Sequence, residues 1–150
     1  MSMAPEKTIA WDRIVGADGV VTDKETLGAF ASDGSLTVGE PPCAILRPRK
    51  AEEIQEIVRL ANQNGIALVP RSSRGPRFRG DTVPQAKDSV IMDLSGMAEI
   101  LRLDVRNKVA MIQPGVTFGA LQEACAKVGL RVPVPLLPRA AGRALLSVTR

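Results

Sequence analysis

A chain of 150 residues with 45% apolar and 24% charged side chains has the size and composition of one globular domain able to bury a core. The net charge of +4 is unevenly placed, with basic residues gathered at 47–50, 71–79 and 139–150. An anionic ligand explains such clusters as well as nucleic acid does, but the only aromatics are Trp11, Phe30, Phe78 and Phe118, too few for a reader built on base stacking.

Histidine is absent, which excludes Ser–His and Cys–His nucleophile pairs, histidine zinc sites and a histidine base. Cys43 and Cys125 lie far apart in apolar surroundings and are expected to be buried free thiols. No apolar run approaches the ~20 residues of a membrane span, and the N-terminus lacks a secretory pattern. The expected location is cytoplasmic.

In chain order, residues 1–10 read as a loose tail and residues 11–15 as a short helix. Thr22 and Glu25 have the spacing of a capping box, opening a helix that turns Leu27 and Phe30 inward. Residues 31–34 end it, with Asp33 as a turn residue before Gly34. After Pro41 and Pro42, a strand over 43–46 is stopped by Pro48. Residues 50–64 form an amphipathic helix with Ile54, Ile57, Val58 and Ala61 inward, and Asn64 and Gly65 supply a left-handed stop. A second strand over 66–69 completes a βαβ unit with parallel strands.

A strand over 90–93 follows, then a tight connection over 94–97. Residues 100–104 and 108–113 alternate in polarity and predict an antiparallel hairpin. Pro114 and Gly115 break it. Thr117 caps a helix over 118–128, with Phe118, Leu121, Cys125 and Val128 inward and Gly129 as its end. Residues 130–134 form a short extended run. The class is α+β: a βαβ unit followed by a mixed, partly antiparallel sheet with flanking helices, in one folding unit.

The stretch 68–82 is the feature of this order that carries chemistry. It leaves the second strand at its carboxyl end, where open α/β sheets place ligands, and holds four arginines, two serines and two glycines. Small residues admit backbone N–H groups close to a ligand, and guanidinium groups neutralise phosphate. Gly75 and Gly80 have P-loop spacing, but Asp81 stands where the phosphate-binding lysine belongs and Pro84 blocks the following helix, so a nucleoside triphosphatase is set aside. The dinucleotide fingerprint GxGxxG is absent.

Four segments in order carry a family resemblance: Pro-Pro-Cys-Ala-Ile-Leu-Arg-Pro-Arg-Lys-Ala-Glu-Glu-Ile at 41–54, Ala-Asn-Gln-Asn-Gly-Ile-Ala-Leu-Val-Pro-Arg at 61–71, Ser-Val-Ile-Met-Asp-Leu-Ser-Gly-Met at 89–97, and Val-Ala-Met-Ile-Gln-Pro-Gly-Val-Thr-Phe at 109–118 with Leu121, Gly129 and Leu130. Together they resemble the FAD-binding domain of the vanillyl-alcohol oxidase / p-cresol methylhydroxylase flavoproteins, and among its branches the glycolate and D-lactate oxidase FAD subunits.

The resemblance implies FAD as cofactor, with its pyrophosphate held by the loop after the second strand. The matching positions are Pro70, Arg71, Ser72, Ser73, Arg74 and Gly75, with Gly80 and Asp81 later. Ser72, Ser73 and Arg74 replace most of the family's glycine turn. The family's domain continues beyond what this chain matches, and Arg139, Gly142 and Arg143 stand where its second glycine-rich segment belongs. The chain therefore reads as a truncated domain: a 1–40 extension with a short helix, a 41–138 core and a 139–150 tail. The implied function is the N-terminal FAD-binding part of an oxidoreductase acting on a 2-hydroxy acid or similar small alcohol. Its catalytic residues are expected outside this chain, and its partners are the rest of the flavoprotein or an electron-transfer subunit. The competing reading is a non-catalytic fragment or assembly subunit that does not bind FAD by itself, whose open sheet edges favour homo-oligomers.

Overall fold

The computed structural model of the protein describes residues 9–72 and 80–133. It contains helix α1 (Asp12–Val15), strand β1 (Val20–Val21), helix α2 (Lys24–Ala29), strand β2 (Ala44–Leu46), helix α3 (Ala51–Asn64), strands β3 (Leu68–Arg71), β4 (Val90–Asp93), β5 (Ile100–Asp104) and β6 (Val109–Ile112), and helix α4 (Phe118–Lys127). The architecture is α+β, as the sequence predicts. Strands β1–β4 form one sheet in the order β1-β2-β4-β3, and β5 and β6 form a separate hairpin.

The expected βαβ unit is present, but its two strands are not neighbours. Both β2 and β3 run parallel to β4, which lies between them, and β1 pairs antiparallel with β2. Local chemistry accounts for this order. Val90, Ile91, Met92 and Asp93 are all buried, as a central strand covered on both faces requires. β3 is only partly buried and contains Pro70, which has no N–H to give a second neighbour. Such a strand belongs at an edge.

The period-two alternation of the strands sorts the core into two layers. Ala44, Leu46, Val90 and Met92 pack with Trp11, Val15, Ile57 and Ala61 beneath α1 and α3. On the other face, Ile45 and Ile91 pack with Leu27 from α2, flanked by Val21, Phe30 and Val69. The apolar stripe of α3 is centred on Ile57. Leu60 therefore packs inward, while Val58, about 100° further round the helix, is 38% exposed, against expectation. Gly65 ends α3 at φ 67°, the predicted left-handed stop.

The start of α2 differs from the predicted capping box. The helix begins at Lys24, so Asp23 is the cap and its carboxylate accepts from the Thr26 N–H at 2.8 Å. Thr117 caps α4 as predicted, its hydroxyl accepting from the Ala120 N–H at 3.2 Å. Phe118, Leu121 and Cys125 are buried, whereas Val128 lies just past the helix and is 42% exposed. Against α4 packs the hairpin, through Ile100, Leu103 and Ile112. No strand forms over the described part of 130–134, although Leu130 and Val132 still pack on the α4 cluster.

Cys125 is buried as expected, but Cys43 is exposed. It precedes the first paired residue of β2, outside the core layers, with its N–H donating to Ser89 O and its thiol 3.4 Å from Asp88 O. Partial desolvation of the sulfur, and then the Asp88 carboxylate, push this thiol above its ordinary pKa. Among the described residues, no helix is long and apolar enough to cross a membrane.

Candidate functional site

Because β2, β4 and β3 are parallel, their carboxyl ends share one edge. Leu46 pairs with Met92, and Arg71 with Asp93. Asp93 is buried there; its carboxylate accepts from the Ser95 N–H at 3.1 Å and lies 3.6 Å from the Arg47 guanidinium, which arrives from the end of β2. A buried carboxylate needs such partners to offset its desolvation. Asp18, Arg47, Arg49, Asp93, Ser95 and Gly96 line a polar cavity of about 390 Å³ on this edge, with Arg49 paired to Asp18.

The candidate loop leaves the neighbouring strand. Pro70 and Arg71 end β3, and Ser72 is buried immediately after it. Ser73, Arg74 and Gly75 lie outside the described residues, as do Arg77 and Arg79. Gly80 and the exposed Asp81 resume the described chain. Thr82, Val83 and Pro84 then run inward and are buried.

Both described ends of the loop are held by the segment between α2 and β2. The Arg71 guanidinium sits over the Phe30 ring, 4.5 Å from its centre. Gly80 N–H donates to Asp33 at 2.8 Å, across 47 positions of sequence. The other oxygen of Asp33 accepts from the Ser35 N–H at 3.0 Å, so Asp33 is the predicted turn residue and more. Gly80 has φ 74°, and a Cβ there would lie 2.3 Å from the Thr37 hydroxyl. Any other residue would be strained in backbone and crowded in space. Further along, Glu40 N–H donates to Pro84 O at 3.0 Å. A Cβ on Gly39 would lie 2.5 Å from Pro84 O and 2.2 Å from Val83.

Of the residues expected at the site, the structure describes Pro70, Arg71, Ser72, Gly80 and Asp81, and around the two stems it adds Phe30, Asp33 and Thr37, which sequence reasoning did not place there. The sole local signal for Asp33 was a turn motif, which many unremarkable loops share. Thr82 gave none. Its hydroxyl oxygen, two residues beyond Gly80, is buried and, like Ser89 Oγ, has no hydrogen-bond partner among the described residues. A buried orphan hydroxyl is costly unless something supplies a partner, which suits a site completed by a polar ligand. Arg71, at the other stem of the loop, supplies positive charge. The Gly80 N–H is already committed to Asp33, so Gly80 contributes shape.

Residues 42–142 match a family described as FAD binding domain. The D-2-hydroxyglutarate dehydrogenase of Stutzerimonas stutzeri is 34% identical over 115 residues, spanning 77% of this chain and 24% of that protein. The glycolate oxidase subunit GlcD of Bacillus subtilis is 32% identical over 104 residues, spanning 69% of this chain and 22% of its own length. Among solved structures, substrate-bound p-cresol methylhydroxylase superposes with a TM-score of 0.74 at 22% identity, over 91% of this chain and 27% of the other. The 4-ethylphenol oxidase of Gulosibacter chungangensis gives the same TM-score, 0.74, at 23% identity and the same coverage of 91% and 27%. The chain therefore spans about a quarter of the length of the relatives it matches.

Proposed function

Since this chain belongs to the FAD-binding domain family over residues 42–142, we propose that it is the N-terminal cofactor-binding part of a flavin-dependent oxidoreductase acting on a 2-hydroxy acid or a similar small alcohol. FAD is the cofactor of that family. The observation that carries the site assignment is the arginine-rich loop, which leaves β3 on the edge where β2, β3 and β4 all end. Loop 70–81 would hold the pyrophosphate: Pro70 and Arg71 at the strand end, Ser72, Ser73, Arg74 and Gly75 through the turn, Gly80 and Asp81 at its close. The unpartnered Thr82 hydroxyl extends this set.

When bound, the flavin supplies the hydride acceptor. This chain's residues bind and orient it. Arg71 places a guanidinium already braced by Phe30, so little rotamer freedom is lost when an anion arrives. The 2-hydroxy acid is supported by the two relatives named for such compounds, D-2-hydroxyglutarate and glycolate. In this reading, residues 41–138 are the cofactor-domain core and 1–40 an extension. The reacting groups come from beyond the stretch shared with relatives, and a further portion or an electron-transfer subunit receives the electrons.

A second reading rests on the sheet: β3 stands at one end of the order β1-β2-β4-β3, and such an edge suits an assembly module that docks another part of a flavoprotein without holding FAD alone. Titration of the purified chain with FAD, followed by flavin fluorescence, separates the two. The cofactor reading expects saturable one-to-one binding, weakened about 10-fold or more, or 1.4 kcal/mol, in an Arg71→Ala/Arg74→Ala variant. Saturable binding unchanged in that variant would remove the loop from the site. No binding by the wild-type chain favours the assembly module.

A further inference from the structure

We propose that residues 30–39, which lie ahead of the family match, form a strap that positions the cofactor loop, with Asp33 as its positioning residue. This rests on the FAD reading of the loop. Four observations carry it. Asp33 is 3% exposed, and a carboxylate so buried must be compensated by donors. Its two oxygens receive two backbone N–H groups, one from Ser35 within the strap and one from Gly80 across the fold. Three residues earlier, Phe30 lies under Arg71, so a single short segment grips the loop's entrance and its exit. Thr37 then fills the space a side chain at residue 80 would need, and Gly39 lies flat against Val83 and Pro84.

Charge makes the proposal discriminating. Near an anion site a carboxylate repels the ligand, so electrostatics alone predicts tighter FAD binding when Asp33 is removed. Positioning predicts the reverse. Without Asp33 the Gly80 N–H loses a charge-assisted acceptor and the exit stem is released, so binding must then order it again. The sign of the change therefore separates the two, and a role in stability alone would leave affinity of the folded fraction unmoved.

The test compares the 150-residue wild-type, Asp33→Ala, Asp33→Asn and Phe30→Leu chains by FAD titration and by amide hydrogen exchange over 80–84. We expect Asp33→Ala to weaken FAD about 10-fold and to speed exchange at 80–84, while β4 keeps its protection. Asp33→Asn, which retains one acceptor oxygen, should recover part of both effects. Phe30→Leu keeps the apolar bulk and should weaken FAD a few-fold. It stands as the deciding variant if Asp33→Ala does not fold. Equal or tighter FAD binding by folded Asp33→Ala overturns the proposal, as does equal binding by Phe30→Leu where that variant decides. If the wild-type chain binds no FAD, the cofactor reading fails separately, and exchange decides the strap: faster exchange at 80–84 upholds it, and unchanged exchange overturns it.

Discussion

Gly115 shows how much one missing methyl group holds together. Its N–H donates to Met97 O at 2.7 Å, and a Cβ would lie 2.6 Å from Ser95 O and 2.8 Å from both Leu94 O and Met97 O. All three are backbone atoms that cannot turn aside. The residue therefore fixes the end of β6 against the chain leaving β4. Gly115→Ala should cost about 1–3 kcal/mol by overpacking, read as a lower urea midpoint with unchanged slope. A neutral result would show that the two backbone segments are not in contact. From the sequence, Gly115 was legible only as a strand breaker beside Pro114, because the carbonyls it meets are some twenty positions away. Asp33 has the same history: its turn role is local and readable, its bond to Gly80 is neither.

At the level of elements, the short helix and the hairpin turn depend on carboxylates. Asp23 caps α2, and Asp104 closes the β5–β6 turn by accepting from the Asn107 N–H at 3.0 Å and its side-chain amide at 2.9 Å. Backbone N–H bonds from Thr26 and Asn107 are the leading causes that hold the two groups below the ordinary value of 3.8. With folded pKa values depressed, each contributes stability that is present above the unfolded pKa and lost as pH falls through the folded one. Amide exchange at Thr26 and Asn107 should therefore accelerate as pH falls below about 4, beyond the intrinsic trend, and Asp23→Asn should abolish the pH step at Thr26 while keeping the cap. A step that persists in Asp23→Asn would assign it to another group.

The elements themselves were largely readable. α3, β4, β5 and α4 carry strong periodicity and end signals, and the structure places them within a residue or two of expectation. Strand order was less so. Nothing within residues 43–69 states that a third strand will separate β2 from β3; the clue was the fully apolar run at 90–92 together with Pro70, and both make sense only once the sheet is considered whole. The stripe of α3 was centred one position off, which put Val58 on the wrong side, and α4 ends before Val128, which leaves that residue exposed.

For the molecule as a whole, the sequence motifs led to the right family because they mark backbone demands, a strand entering a helix or a proline-glycine break, that the fold imposes wherever it occurs. The candidate site is harder to read because it is assembled from two stems and a strap distant in sequence. The central position of β4 also has a bearing on how the chain is made. Among the described strands, as synthesis proceeds, β2 has only the two-residue β1 beside it, and β3 has no partner until residue 90 is available. A nascent chain released at residue 86 should show helix but no parallel sheet by circular dichroism and exchange, whereas one released at residue 133 should show both. A protected β3 in the shorter product would sink this order of events. If it holds, the edge proposed to receive the cofactor comes into being only when its middle strand leaves the ribosome, and an earlier fragment would then lack the means to capture flavin during translation.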